Sequence, residues 1–332
     1  MKQHKATVFY KLPGQNPIVK KSASVMDELV EVDFNADNTF YFSPYNKGSK
    51  AYQFNLEKDI KLFEVMAFSQ YHQAHYDNQS DFIHKVQVAV DTMKNNNSMS
   101  KVVLARCSKI NIDDSFNVNA YFLNLCTTYP NAFVYAVSSS VTGTWIAATP
   151  ELLMGIDNQT VKTTALAGTR LSSNDQLSWG EKEITEHYKV EYYIEQLLAK
   201  YPFKQVSKQG PVTINAGHLE HIFSAYLFQN DPQYISQFLS DLNPTPAVGG
   251  LPKETALSFI NEQENLARKF YTGFAGVSNN NQLQLFVNLR CMELFKKFAV
   301  LYAGGGITAD SNAAQEWIET ENKLAILAKF IA

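Results

Sequence analysis

Several features are missing from this 332-residue sequence, and each absence narrows the possibilities. There are only three cysteines, Cys107, Cys126 and Cys291, widely spaced and with no CxxC pair. Neither a thiolate zinc site nor a disulfide framework is indicated, which fits a reducing compartment. No run approaches the roughly 18 apolar residues that a bilayer span needs. The first residues, MKQHKATVFYKLPG, lack the apolar core of a secretory signal, so the expected location is the cytoplasm. The formal net charge of −3 leaves no electrostatic footprint for nucleic acid or an anionic membrane. No GxGxxG or Walker-type segment is present, so a nucleotide cofactor is not expected. Internal repeats and low-complexity tracts are absent as well.

What is present is the composition of an ordinary folded protein. Apolar residues make up 45% and charged residues 18% of the chain, and 22 Phe with 17 Tyr argue against disorder. The length allows one large domain or two ordinary ones. Strand-like segments outnumber helical ones, and several follow one another without an intervening helix. That order predicts an α+β fold with antiparallel sheets. Residues 1–78 contain strand-like TVFYKL, TFYFS and AYQFNL between turn-rich pieces and carry no motif, so they read as scaffold.

From residue 79 onward the chain carries candidate chemistry. Helical spacing of Phe82, Val86, Ala89, Val90 and Met93 predicts a helix over Asp81 to Lys94. KVVLARCSKI reads as a strand, with Lys101, Val103 and Ala105 on one face. A lysine heading an apolar strand usually reaches water, whereas one held in a drier place can act as a base. Val118 to Thr128 reads as a helix. Glu151 follows Pro150 and precedes an apolar run. Alone it reads as a turn residue, but a carboxylate drawn into apolar surroundings stays protonated and can serve as a general acid. VKTTALAGTR is a strand expected to end in a glycine turn before Arg170.

Residues 181–201 form a strong amphipathic helix on which Glu186 borders the apolar stripe. It is either a boundary residue or a metal ligand facing a cleft. Its neighbour His187 is more often a structural histidine than a ligand. His218 and His221 fall on strand pieces within 211–228, and a helix is expected to begin near Pro252. RKFYTGFAGV, QLQLFVNLR and KFAVLYAG read as strands. Near the C-terminus, Gly304 to Gly306 read as a turn leading to a last helix capped by Asp310 or Ser311. On that helix Glu316, Glu319 and Lys323 share one face. Such a ladder is commonly solvated and weak. Beside a glycine-rich segment it also suits a metal and an acidic small molecule.

Taken together, KVVLAR (101–106), TPELL (149–153), LAGTR (166–170), EKEITEH (181–187), NPTPAVGGLP (243–252), RKFYTGFAGV (268–277), LRC (289–291), YAGGGI (302–307) and EWIETENKL (316–324) resemble, in order and spacing, the chorismate-utilising enzymes. The resemblance runs from about residue 80 to the C-terminus. It implies a single chorismate-binding domain over 1–332, with a scaffold segment 1–78 and a catalytic core 79–332. The implied fold has two large antiparallel sheets packed together and helices outside.

Within the family, a lysine at position 101 resembles the isochorismate and salicylate synthases, where it activates water; anthranilate synthases usually have glutamine. Ala167 stands where aminodeoxychorismate synthases carry a lysine nucleophile. The implied activity is Mg²⁺-dependent isomerisation of chorismate to isochorismate, for menaquinone or siderophore synthesis. The alternatives are salicylate synthesis, which goes on to expel pyruvate, and a paralogue that binds without turnover. By resemblance Lys101 is the base and Glu151 the acid. Glu186, Glu316 and Glu319 are the Mg²⁺ site, with Glu316 acting through water. Gly168, Ala247, Tyr271, Arg290, Tyr302, Gly304, Gly305, Gly306 and Lys323 hold the substrate, and Thr245 lines the pocket. No glutaminase subunit is expected, and the chain should be a monomer or weak homodimer. Two departures from the family pattern are Asn243, where His is usual, and His221, where Thr is common.

Overall fold

The computed structural model describes residues 4–16, 18–29, 36–45, 51–68, 76–96, 98–171, 178–216 and 219–331. Its elements run β1 (His4–Lys11), β2 (Val19–Leu29), β3 (Thr39–Ser43), β4 (Ala51–Asp59), α1 (Gln79–Asn96), β5 (Lys101–Asn111) and α2 (Val118–Thr128). The middle of the chain forms β6 (Phe133–Ser139), β7 (Gly143–Thr149), β8 (Leu152–Asp157), β9 (Thr160–Leu171), α3 (Glu181–Leu198), β10 (Ser207–Ala216) and β11 (Leu219–Gln229). Then come α4 (Ile235–Leu242), β12 (Gly250–Leu251), α5 (Lys253–Gln263), β13 (Phe274–Asn279), β14 (Gln282–Val287), β15 (Cys291–Leu294), β16 (Phe298–Ile307) and α6 (Ala313–Ala328).

The strands form one antiparallel ladder in the order β10-β11-β9-β8-β14-β13-β3-β4-β2-β1-β6-β7-β15-β16-β5-β12. Period-2 burial explains how this ladder doubles over. On β6, Phe133, Tyr135 and Val137 enter a central aromatic core, while Val134 and Ala136 point the other way. On β14, Phe286 joins the same central core and Leu283, Leu285 and Val287 face away. Strands β6 and β14 lie far apart in the ladder, yet Phe133 and Phe286 stack with centroids 4.6 Å apart. The ladder therefore packs its two halves face to face around that core. The expected pair of packed antiparallel sheets is present as two halves of one continuous sheet. Helices α2 and α6 cover the outer face of one half and α3 and α4 that of the other; α1 and α5 pack on β5. Among the described residues no helix is long and apolar enough to cross a membrane.

Four local expectations are corrected. Gly304 to Gly306 are not a turn: they lie inside β16, paired with Ala105, Leu104 and Val103 of β5. The ladder carries the chain through them. Helix α6 is capped by Asn312, whose side chain accepts from the N–H groups of Ala314 and Gln315, so neither Asp310 nor Ser311 is the cap. Gly168 does not end its strand. At φ +77° it is the unpaired residue of a bulge, because Thr169 pairs with His221 and Ala167 with Ile222. Finally, the strand expected from Arg268 begins only at Phe274. Lys269 and Thr272 adopt φ values of 51° and 61°, which no ladder accommodates.

Candidate active site

Ladder and helices converge on one cavity. It is lined by Val103 of β5, Pro150 and Glu151 between β7 and β8, and Leu166 to Thr169 of β9. Glu186 of α3, His221 of β11, and Ala247 and Val248 after α4 add to its wall. Tyr271, Leu289, Arg290, Tyr302, Ala303, Gly304, Gly306, Glu319 and Lys323 complete it. All the candidate site residues line it except Lys101, Gly305 and Glu316. Thr245 does not line it either; its hydroxyl accepts from the Ala247 N–H and so shapes the loop. Asn243 is also outside, capping α4, with its carbonyl held by Lys253. His187 is buried and shares a hydrogen bond with Ser224 Oγ, a structural role. His218 lies outside the described residues.

Lys101 sits just beneath the cavity wall. Its side chain is fully buried and Nζ lies 3.0 Å from Glu186 Oε1, outside hydrogen-bond geometry. Gly306 makes this approach possible. A β-carbon there would stand 2.3 Å from Glu186 Oε1 and 3.1 Å from Lys101 Cε. That contact distance explains glycine in a strand interior. Glu151 is 3% exposed. Burial raises its pKa to about 8, against the pull of Lys101, Arg290 and Lys323. It is therefore a neutral acid at pH 7.

The cationic side of the cavity is Arg290 and Lys323. Arg290 is buried, its backbone lies at φ 47°, and burial lowers its pKa to about 10. Lys323 Nζ donates to Gly304 O at 2.8 Å and Glu319 Oε1 at 2.7 Å. Gly304 thus offers the cavity's edge an acceptor for lysine. Tyr302 stacks between Trp145 and Tyr271, each with centroids 5.5 Å away, and its hydroxyl donates to Glu293. Its contribution is to form the wall, with its proton already committed.

The three proposed metal ligands each face a lysine. Glu186 faces Lys101, Glu319 faces Lys323, and Lys182 Nζ donates to Glu316 Oε1 at 2.6 Å. Burial pushes the Glu186 carboxyl up, but Lys101, Lys323 and Lys182 together bring it below the usual range. Burial and the charge of Glu319 push Glu316 up, against Lys182. Among the described residues no three acidic, imidazole or thiol groups converge as a ready-made metal cage. The donor set still fits magnesium. It is all oxygen and anionic, and Glu316 Oε2 is a buried acceptor without a hydrogen-bond partner. Magnesium keeps several waters and needs only one or two carboxylates.

Reading the residues alone missed Lys182, Thr169, Leu289 and His221 as parts of the site. Lys182 had a usable signal: it lies four residues before Glu186, on the same helical face. His221 was noticeable only as a departure from the family pattern.

A cavity with two cations, a protonated carboxyl and a fringe of carboxylates suits a small, multiply anionic molecule. The chain belongs to the family of chorismate binding enzymes, whose profile matches residues 44–332. Similar proteins include the vibriobactin-specific isochorismate synthase of Vibrio cholerae, 28% identical over 70% of this chain and 62% of that protein. The isochorismate synthase MenF of Bacillus subtilis is 27% identical over 74% of this chain and 54% of its own length. This chain thus spans less than two thirds of those relatives. In fold it resembles DhbC from Bacillus anthracis, with a TM-score of 0.80, 21% identity, and coverage of 98% of this chain and 96% of that one. It also resembles MenF from Escherichia coli, with a TM-score of 0.78, 20% identity, and coverage of 98% and 89%.

Proposed function

We propose that this protein is an isochorismate synthase, converting chorismate reversibly to isochorismate by adding water at C2 as the C4 hydroxyl departs. The observation that carries this reading is the meeting of two buried groups at one cavity, Glu151 in its wall and Lys101 just beneath it. One is a fully buried lysine whose Nζ lies 3.0 Å from Glu186 Oε1, and the other a buried carboxyl whose pKa is raised to about 8. Lys101 takes a proton from the attacking water. Glu151 gives its proton to the leaving C4 oxygen, which departs as water, so water in and water out balance. General acid–base catalysis of this kind contributes roughly 10²–10⁴-fold per group. Arg290 pairs with one substrate carboxylate through its planar fork of donors. Lys323 supports the same end of the cavity, and Gly168, Ala247, Tyr271 and Tyr302 shape the space for the ring.

Glu186 and Glu319 would hold Mg²⁺, with Glu316 behind them through water. Bound there, the ion supplies positive charge that fixes the ring carboxylate. The protein's own residues then orient the ring and exclude competing solvent. The test is incubation of purified protein with chorismate and Mg²⁺, with products resolved by chromatography. Isochorismate without pyruvate, lost in Lys101→Ala and Glu151→Gln, is expected. Salicylate with pyruvate would move the activity to salicylate synthesis, and absence of any product would leave a binding protein.

A further inference from the structure

Building on that reading, we infer that His221 is a positioning residue: its neutral imidazole accepts a hydrogen bond from Arg290 and holds the guanidinium for a substrate carboxylate. Both side chains line the cavity and are buried, His221 6% and Arg290 9% exposed. Arg290 Nη2 lies 2.8 Å from His221 Nε2. A guanidinium has donors only, so Nε2 must be the unprotonated nitrogen and the ring hydrogen must sit on Nδ1. That nitrogen has acceptors waiting: Gly168 O at 3.3 Å and Thr169 Oγ1 at 3.1 Å. Both belong to the bulge in β9. Gly168 cannot be exchanged there without strain, since its φ is +77° and a β-carbon would meet Ile222 Cδ1 at 3.1 Å and Glu183 Cβ at 3.2 Å. The glycine bulge thus fixes the tautomer, and the tautomer fixes the arginine.

The surroundings keep the imidazole uncharged. Burial, Arg290 and Lys323 lower its pKa to about 3. Arg290 is held at its backbone as well, because its carbonyl accepts from the Ala148 N–H at 3.1 Å. Among the described residues no carboxylate forms an ion pair with Arg290. A buried cation braced at both ends and lacking a counter-ion has its remaining donors available to an incoming anion. Histidine is suited to the brace because it accepts on one side and donates on the other. Threonine, too short to span the same gap, could not link Arg290 to the bulge.

The experiment compares wild type with His221→Gln, His221→Leu and His221→Thr. It measures chorismate binding by calorimetry, KM and kcat in the presence of Mg²⁺, and thermal midpoints. Glutamine can accept from Arg290 and donate to Gly168 O, so His221→Gln should bind chorismate within about threefold of wild type. Leucine removes the acceptor and leaves a charged donor unpaired. His221→Leu and His221→Thr should raise Kd and KM roughly ten- to a hundredfold while kcat changes little. If His221→Leu does not fold, the smaller threonine variant carries the comparison. Wild-type-like binding in the threonine or leucine variant would overturn the inference and leave the proposed activity standing. So would a glutamine variant that is folded but as weak as leucine. A wild-type protein that neither binds nor converts chorismate would overturn the proposed activity first, and this inference with it.

Discussion

Glu151 is where a single residue's environment decides chemistry. Its carboxyl is buried between β7 and β8, and the energy of desolvating an anion outweighs three nearby cations. In its proposed role as donor, a group that keeps its proton up to about pH 8 should give kcat/KM an alkaline limb near that value. In Glu151→Gln the limb should vanish along with most of the turnover; a residual profile with the same limb would mean another group donates. The same shift has a stability consequence. The folded pKa lies above the unfolded one, so Glu151 favours the folded chain fully below about pH 4.5, and this contribution is lost as pH rises to about 8. The thiols are a second residue-scale case. Cys107, Cys126 and Cys291 are all buried, and burial raises the pKa of the first two to about 12 and that of Cys291 as well. Little thiolate exists at neutral pH, so the native protein should react with a disulfide reagent far more slowly than the unfolded chain. A fast-reacting thiol in the native protein would contradict this packing.

At the scale of elements, the site depends on how closely β16, α3 and β5 approach. Gly306 leaves room for Glu186 and Lys101 to meet against the strand. Gly306→Ala should therefore keep a folded chain with near-native circular dichroism but lose at least about 10²-fold in activity, since misplacing a catalytic group by an ångström costs that much. Retained turnover would mean that α3 yields more easily than its packing suggests. The same elements show what a sequence reader can see. The spacing of Glu316, Glu319 and Lys323 was legible because a helix repeats locally. The alternation of Val102 and Leu104 against Val103 and Ala105 was legible for a similar reason. What could not be read depended on partners far away in sequence. Gly304 to Gly306 resemble a turn until β5 pairs with them, and Gly168 resembles a strand end until β11 reveals a bulge. Arg268 to Gly273 read as strand because their aromatic content suits one, whereas the positive φ at Lys269 and Thr272 is set by tertiary packing. The link from His221 to Arg290 crosses from one strand to a distant loop, and no local pattern encodes it.

For the molecule as a whole, the question is what holds the two halves of the ladder at the spacing the cavity needs. The cavity draws on both halves: Glu151, Ala167 and His221 come with β8, β9 and β11, whereas Val103, Tyr302 and Gly306 come with β5 and β16. A small change in the separation of the halves would part Glu151 from Lys101, the proposed acid and base. The central core resists that change with aromatic contacts across the interface. Phe133 stacks on Phe286, Phe42 packs against Trp145 and stacks on Phe270, and Tyr135 donates to Asn288 at 2.7 Å. Because the halves are also joined covalently and by hydrogen bonds through β4, β2 and β1, opening one should open the other. Phe133→Ala should cost about 3–5 kcal/mol, as deleting a buried ring does. A double-mutant cycle with Phe286→Ala should return about 0.5–1.5 kcal/mol of coupling for the stacked pair. Near- and far-ultraviolet dichroism should report the same midpoint in wild type and in each variant. Two separated transitions, or zero coupling, would mean that the halves fold independently and that the site's spacing is set locally by Gly306 and the β9 bulge. One transition with positive coupling would mean that the aromatic core, though remote from the chemistry, sets the distance between Glu151 and Lys101.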